Sequence, residues 1–402
     1  MRKTLAILST LSLATAGFAA DPHEVLGWKV SGFFQYRYEW TQNPRGVAED
    51  MGASVPSGYG NAYIDGKNEN RLNLAFFLDK SFDEGARFHA WLGNEHLSGR
   101  TTNTKTEIKE AYLAKNYGFA EVAVGRFMPD IGLGTLGGAP YQDGVSLHAG
   151  NDWVAGKLYV TKFGNVNSTQ VTDVASDYGY INLNGHMTFV CADLKVRPMT
   201  GLTLSAGYFA DVTSEGTACV IKSYSVGGEY KYVANQVPWF TVSGEYARNN
   251  SEGAKLLNTD LVTHASKAPL AYYGTFKFLG AHPFMKGTGG FYMQYRRAES
   301  GFDVMGMANP MVWNAPLNWT TPAGGGSAEN HKGIEVGGEF TIFKGAIFKA
   351  AYGFMKSDSS TSLAAEMVHR VGGVVKIGNN VIPAAPATDK ENYFTTSVFL
   401  LF

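Results

Sequence analysis

The amino-acid sequence is poor in charge, in cysteine and in long apolar runs. Only 17% of its 402 residues are charged and the formal net charge is −1, so no nucleic-acid-binding surface is indicated. Two cysteines are too few for a disulfide-rich scaffold. Beyond the N-terminus there is no stretch of about 18 uncharged apolar residues, as a transmembrane helix requires. A membrane-spanning form of this chain would therefore have to be a closed β-barrel, which satisfies all of its own backbone hydrogen bonds.

The N-terminal residues have the three parts of an export signal. Arg2 and Lys3 form a positive region, and an apolar stretch and a small-residue cleavage motif follow them. We expect a signal peptide over residues 1–19, with cleavage after residue 19 or 20, and a single domain over residues 20–402. A single N-terminal membrane anchor is the alternative, but the apolar run is too short to span a bilayer.

The segment 28–40 alternates between two faces over its whole length. One face is apolar or aromatic and has Trp28 and Trp40 at its ends, whereas the other carries polar groups that include Arg37. A period of two is typical of a β-strand. At about 3.3 Å per residue and a tilt of about 40°, such a strand rises about 30 Å, the hydrocarbon thickness of a bilayer. We expect a transmembrane strand with both Trp at membrane interfaces; a long strand of a soluble sheet is the alternative.

Strand-like segments of this kind recur as far as Phe402, and long polar connections between them alternate with short turns. We count about 16 segments, with 14 or 18 possible. The sequence therefore predicts an all-β fold, a transmembrane antiparallel β-barrel with short periplasmic turns and long outer loops. A barrel pairs its last strand with its first, so the strand that ends at Phe402 is expected beside the segment 28–40, with Phe402 at the membrane interface.

With these features the chain resembles the Gram-negative general porin family. The resemblance rests on the export signal, the terminal Phe402, the strand meander, and the segment 119–127 (FAEVAVGRF) followed by a Gly-rich loop and Asp143-Gly144. It implies that the loop over about 128–142 folds into the barrel and narrows the channel, with Arg126 on the lumen wall. It also implies a homotrimer.

The loop departs from the family in its charges. The usual acidic signature is absent, because the loop holds only Asp130, and Asp143 lies just beyond it. We therefore regard both carboxylates as candidate constriction residues, and the strength of the transverse field that the resemblance implies between loop acids and wall arginines stays open.

Three further arginines, Arg37, Arg71 and Arg87, fall on polar strand faces and are candidate pore-lining residues. Together with Arg126 they could form an arginine ladder that faces the loop acids and polarises the pore. Solvated lumen charge without such a ladder is the alternative.

Aromatic residues also occur on polar strand faces. Phe33, Phe77 and Trp91 are the sequence's hints of an aromatic trail along the lumen, the sign of a solute-specific channel. On the strand over 106–115, Lys109 and Glu110 occupy opposite faces, and the sequence does not decide which of them faces inward.

Motifs of other functions are weak. Gly132-x-Gly134-x-x-Gly137 matches a dinucleotide-binding pattern but is followed by helix-hostile residues instead of the helix that pattern requires. No tight metal-ligand spacing occurs among the histidines. Cys191 and Cys219 either form a disulfide or remain separate thiols.

We therefore expect an outer-membrane channel for passive diffusion of small hydrophilic solutes and ions. A solute-specific channel for a sugar or an organic anion is one alternative, and a barrel enzyme such as a phospholipase is another. Ser146 and His148 are close in sequence, but no Gly-x-Ser-x-Gly elbow occurs, so we expect no enzymatic activity and no cofactor. The expected partners are outer-membrane lipid, the barrel-assembly machinery acting on the C-terminal strand, and small hydrophilic solutes.

Overall fold

The computed structural model describes residues 23–25, 27–42, 68–97, 105–137, 141–164, 186–234, 237–303, 308, 313, 328–362, 375–377, 380–382 and 392–402. The expected signal peptide and its cleavage site lie outside the described residues. Long strands dominate the rest, and we name them β1–β16 in chain order. They are β1 (Trp28–Thr41), β2 (Asn68–Ser81), β3 (Ala86–Leu97), β4 (Lys105–Asn116), β5 (Ala120–Phe127), β6 (Gln142–Gly150), β7 (Val154–Gly164), β8 (His186–Met199), β9 (Leu202–Asp211), β10 (Lys222–Ala234), β11 (Val237–Asn249), β12 (Leu270–Leu279), β13 (Gly289–Ala298), β14 (His331–Phe343), β15 (Ala346–Lys356) and β16 (Tyr393–Leu401).

The sixteen strands form one closed antiparallel barrel. Each strand pairs with its neighbours in the chain, and β16 pairs with β1, so that Tyr36 lies opposite Val398. Closure gives each of the sixteen strands a partner on both sides. The predicted barrel and its predicted strand number are both confirmed.

Short and long connections alternate around the ring, as the sequence predicts. Six even-numbered strands end in short turns, such as 200–201 and 344–345, β12 is followed by the longer segment 280–288, and most odd-numbered strands are followed by long segments. We call the two rims the short-turn end and the long-loop end. Gly201 shows why a turn can be tight: its φ is +82°, and a Cβ there would lie 2.3 Å from the Lys231 carbonyl oxygen.

The wall has an apolar outward face and a polar inward face. In one register row, Val124, Val145, Val160 and Val190 lie side by side on β5–β8 and point outward. A second register row begins at Glu121, three residues before Val124 on β5, and its side chains point inward. Its members are Glu121, His148, Lys157 and Asp193. The period of two along each strand separates these two rows.

Aromatic side chains mark both rims of the outward face. At the short-turn end Phe119, Trp153 and Trp239 are exposed, and tyrosines such as Tyr208 and Tyr224 stand toward the long-loop end. Trp28 lies at the short-turn end against Phe88, with 5.8 Å between the ring centroids. The two other predicted interface residues occupy opposite ends, Trp40 at the end of β1 near the long loops and Phe402 at the short-turn end.

Smaller elements complete the described structure. The short strand His23–Val25 pairs with the start of β1, helix α1 (Glu252–Leu257) lies between β11 and β12, and the strands Val375–Ile377 and Asn380–Ile382 form a hairpin. No helix in the described part of the chain has the length and hydropathy needed to cross a membrane.

Candidate functional site

The segment after β5 folds into the barrel interior. The amide of Gly132 donates to Asp193 on β8 (2.8 Å), and the amides of Leu133 and Thr135 donate to the two carboxylate oxygens of Glu245 on β11 (2.9 and 2.8 Å). A connection between β5 and β6 can reach the inward faces of β8 and β11 only across the interior. We call residues 128–137 the constriction loop; of the predicted loop 128–142, residues 138–140 lie outside the described residues.

Glycines make this close approach possible. A Cβ on Gly132 would lie 2.0 Å from the Glu245 carboxylate, and its φ of +68° is in the region that glycine favours. The wall also has glycines where the loop packs against it. A Cβ on Gly207 would lie 2.7 Å from the Ile131 side chain, and one on Gly227 would lie 3.0 Å from Leu133. These glycines therefore serve close packing of a loop against a wall.

Asp130 of the constriction loop is buried in ion pairs with lysines. Its carboxylate lies 2.8 Å from Nζ of Lys157 on β7 and 3.4 Å from Nζ of Lys195 on β8. The carboxylate thus faces lysines of the wall, whereas the arginine-ladder alternative would place it opposite arginines. Its role in the fold is to tie the loop to β7 and β8.

Two of the predicted wall arginines point inward and are paired with acids. Arg37 Nε lies 2.5 Å from Glu39. Arg87 donates through Nε and Nη2 to both carboxylate oxygens of Glu121 at 2.9 and 2.7 Å, a bidentate pair. Arg71 is opposite Arg37 in the β1–β2 register, and its side chain lies outside the described residues.

Arg126 and Asp143 do not line the interior. They are opposite each other in the β5–β6 register, with Arg126 Nε 3.3 Å from the Asp143 carboxylate, and they share the outward face with Val124. The expected wall position of Arg126 is therefore wrong, and Asp143 is likewise outside. The physical reason is the parity of β5: Glu121 must face inward to meet Arg87, so Arg126, an odd number of residues away, faces outward.

The inward face opposite the constriction loop carries a different set of polar groups. Asn73 on β2 donates to Gln35 on β1 at 3.0 Å. His89 on β3 lies 2.7 Å from Asp79 and 3.4 Å from Glu110. The ring of sixteen strands places this polar wall across the interior from β8–β12, against which the loop packs.

A β-bulge settles the question of Lys109 and Glu110. The β3–β4 register shifts between Trp91 and Leu92, so Glu110 pairs with Trp91 and Lys109 becomes the extra residue. Glu110 faces inward beside His89, and the Lys109 chain lies over Gly93, whose Cβ would be 3.1 Å from it. The sequence alone did not reveal this shift, because Lys109 and Glu110 are both polar and either of them suits an inward face.

A row of five aromatic rings crosses the polar wall. It consists of Phe399 on β16, Phe33 on β1, Phe77 on β2, Trp91 on β3 and Tyr141 just before β6. Successive ring centroids are separated by 6.3, 6.1, 5.4 and 5.6 Å. These distances are typical of contacting aromatic pairs. We call these five residues the aromatic row.

The interior beside the loop also contains an apolar core that sequence analysis missed. Phe189 on β8 and Phe209 on β9 face inward with 5.0 Å between their ring centroids, and Ile131 of the loop belongs to the same buried cluster. Trp313, from the segment between β13 and β14, is fully buried against Tyr273, 6.1 Å away. The available signal was that the inward face of the first part of β8 carries Met187, Phe189 and Cys191, which is unusual for a strand lining water.

The two cysteines are free in this structure. Cys191 is buried on the inward face of β8, and Cys219 lies in the segment between β9 and β10. Burial raises the pKa of the Cys219 thiol above its usual value, which keeps it protonated and unreactive at neutral pH. Among the described residues, no cluster of three or more His, Cys, Asp or Glu side chains could hold a metal ion.

The chain is thus a closed barrel with an apolar exterior, a charged interior and a loop folded across that interior. No family model matches it, and no curated protein matches it by sequence. Among solved structures, a five-substitution mutant of the Rhodopseudomonas blastica porin is 12% identical, with 93% of this chain and 100% of that chain covered and a TM-score of 0.48. Pseudomonas aeruginosa OccK11 (OpdR) is 10% identical, with 93% and 96% covered and a TM-score of 0.49. Similarities this low leave the assignment of function to the geometry of the chain itself.

Proposed function

We propose that this chain forms a water-filled channel in a bacterial outer membrane and admits small hydrophilic solutes and ions by passive diffusion. The observation that carries the proposal is the constriction loop folded inside a closed barrel of sixteen strands. A barrel of this size is wide enough to leave an aqueous channel, and a loop inside it reduces the passage to the size of a small solute.

The outer wall supports a membrane location. Its outward face is apolar between two aromatic rims, the pattern of a strand wall that faces lipid. In this setting Trp28, Trp40 and Phe402 lie near the headgroups, and the long-loop end faces the exterior. Residues 1–19 then act as the export signal, and N-terminal sequencing of the purified protein should begin at residue 20 or 21.

The lumen charges support a weakly ion-selective pore. Arg37 and Arg87 are each paired with a carboxylate within the wall, and Asp130 is paired with lysines, so the described lining has little unbalanced charge. We expect such a lining to favour neither ion sign strongly. A homotrimer, and folding through the barrel-assembly machinery acting on β16, belong to the same proposal.

Single-channel conductance in planar bilayers tests this function. Folded, unboiled protein should give stepwise openings whose size scales with the conductivity of the bathing salt. A complete lack of steps from protein that is verifiably folded would rule out an open pore. A lipid-hydrolysis assay on the same preparation should be negative, because Ser146 and His148 lie on one strand face two residues apart with no observed Ser–His hydrogen bond among the described contacts.

A further inference from the structure

The aromatic row lies on the side of the interior that the constriction loop leaves to a solute. The loop packs against β8, β11 and β12, whereas the row lies on β16, β1, β2 and β3, half a turn around the ring. The row ends on Tyr141, the residue that follows the loop region in the chain. The row runs across adjacent strands of the wall, so a solute that passes the loop also passes the row.

Three of the five rings of the row are partly accessible. Phe33, Trp91 and Tyr141 are half-buried, and Phe77 and Phe399 are buried behind and beside them. The indole N–H of Trp91 has no acceptor among the described residues. The N–H itself is buried, so Trp91 offers a passing solute the accessible part of its ring and not a hydrogen-bond donor.

Each lysine beside the row has an acidic partner on the same wall. Lys109 Nζ lies 5.6 Å from the Tyr141 ring centroid and 2.5 Å from Glu107. At the other end, Lys349 Nζ lies 5.4 Å from the Phe399 centroid and 3.6 Å from Glu339.

The middle of the row has a hydrogen-bonded pair as well. The His89 ring stacks on Phe77, and its Nδ1 lies 2.7 Å from Asp79. Each charge thus has an opposite charge nearby, and the row offers hydrogen-bonding groups rather than a field that selects ions.

We propose that the aromatic row is a binding track for uncharged cyclic polyhydroxyl solutes, that is, sugars. One face of a pyranose ring carries C–H groups, which pack against aromatic rings and lose contact with water. Its edge carries hydroxyls, which bond to the paired lysines, acids and histidine beside the row. This inference rests on the proposed channel function and names the solutes that the channel holds on their way through.

Current blockade in planar bilayers tests the track. A neutral glucose trisaccharide should interrupt the open-channel current of the wild-type protein, whereas benzoate, a flat anion, should not. Phe33→Ala and Trp91→Ala should each weaken the trisaccharide binding constant about tenfold, the loss expected for removing one stacked ring. Tyr36→Ala is the matched control, because Tyr36 lies on the outward face of the same strand as Phe33. The trisaccharide binding constant of this variant should equal that of the wild-type protein.

The outcomes separate the track from the channel. Equal trisaccharide blockade in wild type and both row variants would overturn the row as the site, and blockade by benzoate alone would overturn the solute class. Steady conductance with no blockade by either solute would overturn the track and leave the channel standing. Folded wild-type protein without conductance would overturn the channel function itself, and the track with it.

Discussion

Gly32 on β1 and Phe402 at the C-terminus form the seam at which the barrel closes. The two residues exchange both backbone hydrogen bonds, at 2.8 and 3.1 Å, and the Phe402 ring lies over the glycine and against Phe76, 5.7 Å away. A side chain at position 32 has no room, because its Cβ would lie 2.2 Å from the Ala75 carbonyl oxygen and 2.7 Å from the Phe402 ring. The last residue of the chain is therefore fitted to a glycine of the first strand.

Substitution Gly32→Ala should weaken this seam. The new methyl group would collide with backbone of β2 as well as with the Phe402 ring, and overpacking of this kind costs about 1–3 kcal/mol. The temperature at which the folded form is lost, measured by heat-modifiable migration in SDS gels, should fall. Gly274→Ala on β12 is the control, since a Cβ there meets nothing within 4 Å, and its transition should stay near that of wild type. Equal transitions for the two variants would contradict a tight seam.

The barrel itself could be predicted from sequence because its determinants are local. The period of two from Trp28 to Trp40 defines a strand and its two faces, and turn residues between such strands define a meander. Glycines at 132 and 134 indicated a tightly folded loop, although only the structure shows the carboxylate of Glu245 that receives it. Local patterns therefore determined the strand number, and long-range contacts determined the interior.

The error at Arg126 has a physical origin in β5. Both parities of this strand carry small or apolar residues, among them Val124 on one face and Ala123 on the other, so the sequence holds no local signal of orientation. The orientation is set by Glu121, which reaches Arg87 on β3 across the intervening strand. The apolar core around Trp313 was missed for a related reason, because it is built from segments far apart in the chain.

Glu245→Ala should release the constriction loop. The change removes the acceptor of the Leu133 and Thr135 amides, and a buried donor left without a partner costs about 1–3 kcal/mol. We expect a noisier open-channel current, because the loop then fluctuates inside the barrel. Glu229→Ala is the matched control: this carboxylate on β10 pairs with Lys231 at 2.7 Å and has no contact with the loop among those described. Unchanged current noise in the Glu245 variant would show that other contacts hold the loop.

Asp260 should make one contact between long loops sensitive to acid. Its carboxylate accepts the amides of Val262 and Thr263 at 2.9 and 2.8 Å and the hydroxyl of Thr361, from the segment after β15, at 2.8 Å. The Thr263 amide, followed by the Thr361 hydroxyl, lowers the pKa of Asp260 to about 2.

Since the folded pKa is below the usual value of about 3.9, this contact is fully stabilising above about pH 4 and is lost as the pH falls through about 2. Hydrogen-exchange protection of the Val262 and Thr263 amides should therefore be lower at pH 2 than at pH 5. In Asp260→Asn the protection should be weak at both pH values, because an amide is a poorer acceptor than a carboxylate. Equal protection of the wild-type amides at the two pH values would show that the carboxylate does not anchor this loop.

Of the two variants Arg87→Ala and Arg126→Ala, only Arg87→Ala should change the ion selectivity of permeation. Arg87 faces the interior, and its removal leaves the Glu121 carboxylate without its bidentate partner on the lumen wall. The ratio of cation to anion permeability, measured as a reversal potential across a salt gradient, should then rise. Arg126 lies outside the wall beside Asp143, so its removal should leave that ratio and the conductance at wild-type values. A selectivity change in Arg126→Ala that matched or exceeded the change in Arg87→Ala would mean that β5 presents the opposite face to the lumen.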